Sequence, residues 1–269
     1  LNMGPLVETV YKGREKTDES VVTFLNKISE MELEPYIESS YEELADYVSA
    51  YDQKMIMKRE NIASSGIWTA KKRYILNVWD SEGVRYSEPK LKIMGLEAVK
   101  SSTPMPCRNA IKKALRIMVT GTEEELISFI DSFKDEFDSL PPEDIAFPRS
   151  VNGLRKFKAS GTVYSKGTPL HVRGTLLYNF YIAKNKLQYK YPLVQEGEKI
   201  KYLYLRRPNK LGNENVLSFL NTFPKELGLE GQIDRDAQFK KAFLDPLRMI
   251  TNVIGWETER VSNLEFLFA

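Results

Sequence analysis

The sequence is poor in the residues that build disulfides, zinc sites and catalytic triads. Its 269 residues include one cysteine, Cys107, and one histidine, His171. A lone cysteine excludes an internal disulfide, and one cysteine with one histidine cannot complete a zinc site of ordinary composition. A Ser-His-Asp system could form only around His171, and we do not expect one. The composition indicates a reduced, cytoplasmic protein.

Long apolar runs and an excess of charge of one sign are also missing. No stretch approaches the roughly 20 apolar residues of a membrane span, and no secretory signal is present, so we expect no membrane partner. Lys and Arg number 39 against 37 Asp and Glu, which gives a formal net charge of +2. This balance excludes a uniformly basic surface, so a polyanion would have to be bound by local patches of cations.

The first third of the chain has the pattern of helices laid against an antiparallel sheet. Apolar residues recur at helical spacing over residues 18–50, where Pro35 is expected to kink or split the segment. Strands are predicted over residues 54–63, 68–79 and 84–93, with turns at 64–66 and 80–83. The predicted pattern changes near Gly95 from strands to helices, and we place a domain boundary there.

The remainder reads as mostly helical, with a smaller share of strand. Thr103 is a predicted N-cap, and Thr122 with Glu125 predicts a capping box in front of an apolar helix face. Residues 154–207 mix strands with a helix, and further helices are predicted over 216–227 and 236–254. The expected fold class is α+β, with an antiparallel sheet backed by helices and then a mainly helical part with a small β subdomain.

The segment TAKKRY places three adjacent cations, Lys71, Lys72 and Arg73, directly before Tyr74. On a strand, Lys71 and Arg73 would share one face and Lys72 and Tyr74 the other. Cations interleaved with aromatic residues indicate nucleic-acid binding, although the signal is weak by itself. The alternative is a solvated strand end, which these six residues alone favour.

Further basic and polar clusters lie beside predicted turns or helix starts. Lys90 and Lys92 fall on one face of a strand, and residues 100–103, KSST, open a helix where free N–H groups favour a phosphate. Others are residues 155–158, which we expect to open a strand, residues 166–168, and residues 171–174, HVRG. Lysine precedes glycine in KGT, so a phosphate-binding P-loop is excluded. Together the clusters favour a track of contacts to a nucleic-acid backbone.

The carboxylates and the C-terminal residues give weaker evidence of function than the basic clusters. A two-metal site needs paired acids that hold ions about 3.5–4 Å apart, and the sequence contains no convincing pair. Glu60, beside Lys58 and Arg59, is a lone acid of the kind that forms an ion pair. The closing LEFLFA either folds back onto the core or binds an apolar pocket on a partner, since large apolar side chains are costly to leave in water.

The motifs together resemble the carboxy-terminal half of a family B replicative DNA polymerase of T-even-like bacteriophages. The resemblance is carried by KKRY at residues 71–74, KIMGLE at 92–97 and KSSTP at 100–104, at the family's spacing. HVRG at 171–174, Tyr178-Asn179 and EGEK at 196–199 continue it, and LEFLFA is similar to the family's clamp-binding tail.

This resemblance implies three regions and a set of roles. Residues 1–95 would be the remainder of the palm, 96–256 the thumb and 257–269 a tail that docks on a sliding clamp. Contacts to primer-template DNA would come from Lys71, Lys72, Arg73, Tyr74, Lys92, Lys100, Ser101, Thr103, His171 and Arg173. Glu60 would lie near the active site, and the tail would bind the clamp through Leu264, Phe266, Leu267 and Phe268.

Several motifs of the family are missing. The metal-binding motifs Asp-x-x-Ser-Leu-Tyr-Pro and Asp-Thr-Asp-Ser do not occur, nor does the nucleotide-binding Lys-x-x-x-Asn-Ser-x-Tyr-Gly. The chain opens LNMGPLVETVYKG, and we expect it to be a piece of a longer polymerase or one subunit of a split one. Mg²⁺ would be bound by residues absent here, and the amino-terminal half would be a partner in the infected host cell. The alternative is a non-catalytic DNA- or RNA-binding module, such as a translational repressor.

Overall fold

A computed structural model describes residues 1–96, 100–159 and 161–260 of the protein. The chain forms two compact units, Leu1–Met94 and a second unit that begins at Gly95. Each unit combines helices with a three-stranded antiparallel sheet, which confirms the predicted α+β class. Within the described residues, no helix is both long and apolar enough to cross a membrane.

The first unit begins with helices. These are α1 (Gly4–Val10), α2 (Asp18–Ile28) and α3 (Glu34–Tyr47), with a π-helical turn (Ser29–Leu33) between the last two. Thr17 caps α2 through a capping box with Ser20, in which each side chain accepts the other's backbone N–H. Pro35 follows the π-helical turn, and the backbone dihedrals remain right-handed helical at Ile28, Leu33 and Glu34. The proline therefore does not split the segment, and the irregularity beside it is a π-helical turn within a continuous helix.

The sheet of the first unit consists of β1 (Asn61–Ala70), β2 (Arg73–Ser81) and β3 (Val84–Met94), with β2 in the centre. Ile67, Ile75 and Ile93 form one cross-strand row, and the first two are buried. A buried ion pair fixes the end of β2: Arg59 Nη1 donates to Asp80 Oδ1 at 2.7 Å. Arg59 also donates to Asn26 of α2, and its backbone N–H donates to Glu34 of α3.

The predicted strand 84–93 matches β3 to within one residue, but the limits of the other two were wrong, and the predicted strand 68–79 spans the turn between β1 and β2. Residues 51–60 have no regular secondary structure, and the predicted turn at 64–66 lies inside β1. Gly66 pairs with Leu76, and the Trp68 ring lies against the glycine, where a Cβ would meet ring carbon Cη2 at 2.7 Å. The Ser64 hydroxyl accepts a hydrogen bond from Asn77 of β2. Cross-strand contacts therefore override the Ser-Ser-Gly turn signal.

The second unit alternates helices with a short sheet. Its helices are α4 (Met105–Thr120), α5 (Glu123–Ser139), α6 (Pro142–Ile145), α7 (Leu154–Phe157), α8 (Leu170–Lys184), α9 (Arg235–Phe239) and α10 (Asp245–Ile254). Its strands are β4 (Phe147–Ser150), β5 (Lys199–Tyr204) and β6 (Val216–Phe219), with β5 in the centre. A π-helical turn (Lys240–Leu244) joins α9 to α10, which confirms a helical segment over 236–254.

The core of the second unit lies between α4, α5 and the α9–α10 segment. The predicted capping box of Thr122 and Glu125 is confirmed. The apolar face that follows is buried. Phe133 packs against Phe239 with tilted rings at a centroid distance of 5.9 Å, and Phe137 packs edge-to-face on the same ring at 5.2 Å. Cys107 of α4 is fully buried, and this burial raises the pKa of its thiol to about 12.

Three further predictions in the second unit were wrong. Helix α4 begins at Met105 with Pro104 at its N-cap, and Thr103 instead donates its backbone N–H to Lys100 in the preceding turn. Residues 154–157 form a short helix and not a strand. Val216–Phe219 is a strand with all four residues buried, where helix had been predicted. A short apolar run fits a buried strand as well as a helix, and pairing with β5 decides here.

Candidate nucleic-acid interface

The three cations of TAKKRY lie at the tip of the β1–β2 hairpin. Ala70 pairs with Arg73, so that Lys71 and Lys72 form the turn between the strands. All three cationic side chains are exposed, and Lys72 adopts the left-handed conformation with φ of 63°. The prediction that Lys71 and Lys72 alternate along a strand was therefore wrong. A turn projects both lysines beyond the end of the sheet.

The cations at this tip have no acidic partners among the described residues. Neither Lys71, Lys72 nor Arg73 takes part in any ion pair within residues 1–96, 100–159 and 161–260. Their charges are therefore not neutralised locally, although the whole chain is nearly neutral. Such a cluster can attract a polyanion and release the cations condensed on it.

Lys92 of β3 differs from these residues because it is already paired. Its Nζ lies 2.5 Å from Glu60 Oε1. The hydrogen bond and charge of Lys92 lower the pKa of the Glu60 carboxyl, and the same hydrogen bond raises the pKa of Lys92. Glu60 thus takes the ion-pair role expected from its sequence, and it masks a cation that the resemblance assigned to DNA.

Aromatic side chains lie on the same face of the sheet as Lys92. Tyr74 pairs with Trp68 on one side and Met94 on the other, and Lys92 is in the next row of this face, opposite Leu76. The Trp68 side chain is 62% exposed and Tyr74 is half-buried. The sequence interpretation missed Trp68, although an aromatic residue three positions before a cation cluster could have indicated it.

The described residues do not fit a metal ion. No group of three or more His, Cys, Asp or Glu side chains comes together within the part of the chain that the structure describes. Glu60, the acid expected near an active site, forms an ion pair with Lys92. The Asp80 carboxylate forms an ion pair with Arg59 and accepts a hydrogen bond from the backbone N–H of Gly83, with 3.1 Å between the nitrogen and Oδ1.

In the second unit, His171 and Arg173 belong to the first turn of α8. Burial, together with the nearby charge of Arg149, lowers the pKa of the His171 imidazole, so that it is neutral at pH 7. The ring lies 6.4 Å from the Tyr202 ring of β5. The direction of this pKa shift disfavours the charged form of His171.

Arg173 takes part in an internal network. Its guanidinium donates to Asn215, lies 4.0 Å from Glu214 and stacks 5.7 Å from the Tyr164 ring. The Tyr164 hydroxyl donates to the same Glu214 carboxylate. These contacts join α8 to the segment before β6, and they leave Arg173 half-buried.

The remaining predicted DNA contacts lie in the turn before α4. Ser101 is exposed and Thr103 buried in the turn before α4, where Lys100 is also exposed. The structure thus brings Lys71, Lys72, Arg73, Tyr74 and Lys92 together on one sheet, and His171 with Arg173 on one helix turn. The predicted clamp-binding residues, Leu264, Phe266, Leu267 and Phe268, lie outside the described residues, as does Glu97.

The backbone of Lys72 leads to a prediction about stability. A left-handed conformation costs a non-glycine residue about 1–2 kcal/mol, and glycine loses about 0.4–1 kcal/mol more chain entropy on folding. Lys72→Gly should therefore raise the free energy of unfolding by about 0.5–1 kcal/mol, measured by urea denaturation. Lys71→Gly is the matched control, since Lys71 does not have a positive φ. Equal or opposite shifts in the two variants would contradict the assignment of strain to Lys72.

Known proteins similar to this chain are phage DNA polymerases. The chain is 32% identical over 274 residues to the DNA-directed DNA polymerase of Enterobacteria phage T4, and 35% identical over 274 residues to that of Escherichia phage RB69. Both alignments cover 98% of this chain, but the chain spans only 30% of the length of each relative. No family model matches the chain. The resemblance to the carboxy-terminal part of family B phage DNA polymerases is confirmed by these similarities.

Proposed function

We propose that this chain is the palm-remainder and thumb portion of a DNA-directed DNA polymerase, which holds primer-template duplex during DNA synthesis. The observation that carries the proposal is the uncompensated cluster of Lys71, Lys72 and Arg73 at a hairpin tip, in a chain similar to two phage polymerases over 98% of its length. In this proposal residues 1–95, which include the first unit, are the palm part, and residues 96–256 are the thumb.

The β1–β2 hairpin is the part that meets the duplex in this proposal. Its tip enters or follows the minor groove, where A·T and G·C pairs present similar acceptors. Lys71, Lys72 and Arg73 contact phosphates, and Tyr74 with Trp68 covers the sugar edge. Contacts of this kind hold the duplex whatever its sequence, as a polymerase requires.

The thumb residues contribute less charge to the duplex. Lys100, Ser101 and Thr103, in the turn before α4, and His171 at the start of α8 remain candidate backbone contacts. Arg173 serves the DNA indirectly in this proposal, since its guanidinium holds Asn215 and Glu214 beside α8.

The Glu60–Lys92 pair leads to a prediction about affinity. Glu60→Gln removes one negative charge from the sheet and leaves Lys92 free to bind a phosphate. We expect duplex affinity to rise roughly three- to tenfold near 0.1 M salt, with the slope of log K against log salt steeper by about one. Fluorescence anisotropy over a salt series measures both quantities. Glu15→Gln, which removes an exposed acid before α2, is the control for general charge. A rise that is equal in the two variants would contradict a specific release of Lys92.

The complete enzyme would use Mg²⁺ for two-metal nucleotidyl transfer, as the resemblance implies. The described residues of this chain do not offer the carboxylates for that chemistry, so the proposal assigns metal binding to another part of the polymerase. The role of this chain is to position the duplex, in the cytoplasm of an infected host cell.

Docking on a sliding clamp is the role proposed for the last residues, 257–269. The sequence LEFLFA supplies Leu264, Phe266, Leu267 and Phe268 for an apolar pocket on the clamp. Deletion of residues 264–269 should abolish clamp binding in a pull-down and leave duplex affinity unchanged. Clamp binding that survives the deletion would refute this role.

Reconstitution tests the proposed function. Mixing this chain with the amino-terminal part of the same polymerase should restore primer extension that neither polypeptide performs alone. A properly associated pair that binds DNA without extending primers would refute the polymerase assignment. Preference for structured messenger RNA over primer-template duplex, in a competition experiment, would favour an RNA-binding repressor instead.

A further inference from the structure

Helix α3 and the segment after it form the most exposed apolar surface of the described chain. Nine of the nineteen large apolar side chains that are exposed lie within residues 31–57. Tyr36 is 73% exposed, Tyr47 87% and Ile56 82%. No residue of α3 is buried, although the helix has 14 residues. We call residues 31–57 the open surface.

The sequence of α3 is that of a helix with an apolar face to bury. Ile37, Tyr41, Leu44 and Val48 recur at intervals of four, three and four residues, which places them on one stripe. In the structure, none of the four is buried. A helix of this length is marginal in water by itself, because tertiary packing of an apolar stripe supplies most helical stability. The stripe is therefore incompletely covered by the first unit.

Charge restricts what can cover this surface. The open surface, residues 31–57, contains seven acidic residues and one cation, Lys54, which pairs with Asp52. A complementary surface must therefore present apolar side chains at its centre and lysine or arginine at its rim. A second copy of the same surface would bring acidic residues against acidic residues, which disfavours a symmetric dimer.

We infer that the open surface is the docking site for the amino-terminal part of the polymerase, which contacts it with an apolar patch rimmed by basic residues. The chain spans 30% of the relatives' length, and the partner in this inference is a polypeptide that corresponds to the part of the relatives outside the alignment. The inference rests on the proposed function and adds to it the surface and the chemistry by which the two parts associate.

Two valines provide a matched test of this inference. Val48 on the open surface and Val84 at the β2–β3 turn are both 60% exposed, so replacement of either by glutamate should leave the first unit folded. Circular dichroism and urea unfolding of the chain check this. The partner probe is the purified amino-terminal polypeptide of the same phage polymerase, defined by alignment with the unmatched part of the RB69 enzyme.

Val48→Glu should weaken association with that polypeptide roughly tenfold or more, measured by isothermal titration calorimetry, whereas Val84→Glu should change it less than about twofold. In the complex of the unaltered chain, backbone amides of residues 34–57 should exchange hydrogen more slowly than in the free chain. Equal effects of the two variants, or unchanged exchange in this segment, would overturn the inference. Dimerisation of the free chain that Val48→Glu abolishes would also overturn it, because the occupant would be a second copy.

Failure of this inference can be told apart from failure of the proposed function. Restored primer extension with association that is indifferent to Val48→Glu refutes the docking surface alone. Association that Val48→Glu disrupts, in a pair that never extends a primer, refutes the polymerase assignment and supports the surface.

Discussion

Asp80→Ala is expected to lower the free energy of unfolding of the first unit by about 3–5 kcal/mol, because it leaves a buried arginine without its partner. The Asp80 side chain is 3% exposed and that of Arg59 is 11% exposed. Arg59 joins α2, α3 and β2 through Asn26, Glu34 and Asp80. Removal of one carboxylate should therefore loosen both helices from the sheet.

Tryptophan fluorescence can report this loss for the first unit alone. Trp68 and Trp79 lie in the first unit and Trp256 lies in the second, so a Trp256→Phe background confines the signal to the sheet. Asp52→Ala is the matched control, since Asp52 pairs with Lys54 at 3.8 Å with both side chains largely exposed. An exposed pair of this kind contributes about 0–1 kcal/mol. A cost below about 1 kcal/mol for Asp80→Ala would mean that the buried pair does not hold the unit together.

The second large effect is expected in DNA binding. The double variant Lys71→Ala, Lys72→Gly removes two cations from the hairpin tip, and glycine keeps the left-handed turn at position 72. Each lost phosphate contact reduces the slope of log K against log salt by about 0.9, so the slope should fall by about two. Duplex affinity near 0.1 M salt should decrease roughly tenfold to hundredfold.

Fluorescence anisotropy with a labelled primer-template over 50–300 mM salt, a range spanning roughly a sixfold change in ionic strength, gives both the slope and the affinity. Lys12→Ala, Lys16→Ala is the control, because it removes the same charge from exposed positions of the first unit. If both double variants have the same slope as the unaltered chain, the hairpin tip is a solvated strand end and not an interface. Urea unfolding of the double variant, in which Lys72→Gly is expected to raise stability, checks that weaker binding does not come from unfolding.

Features of the fold that depend on neighbouring residues could be predicted from the sequence, whereas those that depend on distant residues could not. The capping box at Thr122 was predicted because it depends on residues within one helix turn. The strand limits near Gly66 and the strand at Val216–Phe219 were not, because partners on other strands determine them. Local periodicity carries no information about such partners.

In the candidate interface, too, local features could be predicted from the sequence and long-range pairs could not. Adjacent cations predicted a charged cluster, and the structure places them together at one tip. Spacing could not reveal that Glu60 neutralises Lys92 from 32 positions away, or that Arg173 is held by residues more than 40 positions later. Pairing between distant charges decides which cations are available, and only the fold determines those pairs.

The buried thiol of Cys107 has a practical consequence for optical experiments. A thiol reacts with maleimide through its thiolate, and this thiol is fully buried with its pKa raised to about 12. A cysteine introduced at an exposed position, such as Lys27→Cys, can therefore take a single fluorophore while the natural cysteine stays in place. The chain is in this respect ready for single-molecule energy-transfer measurements, in which the distance between a labelled duplex and the dye is followed in real time.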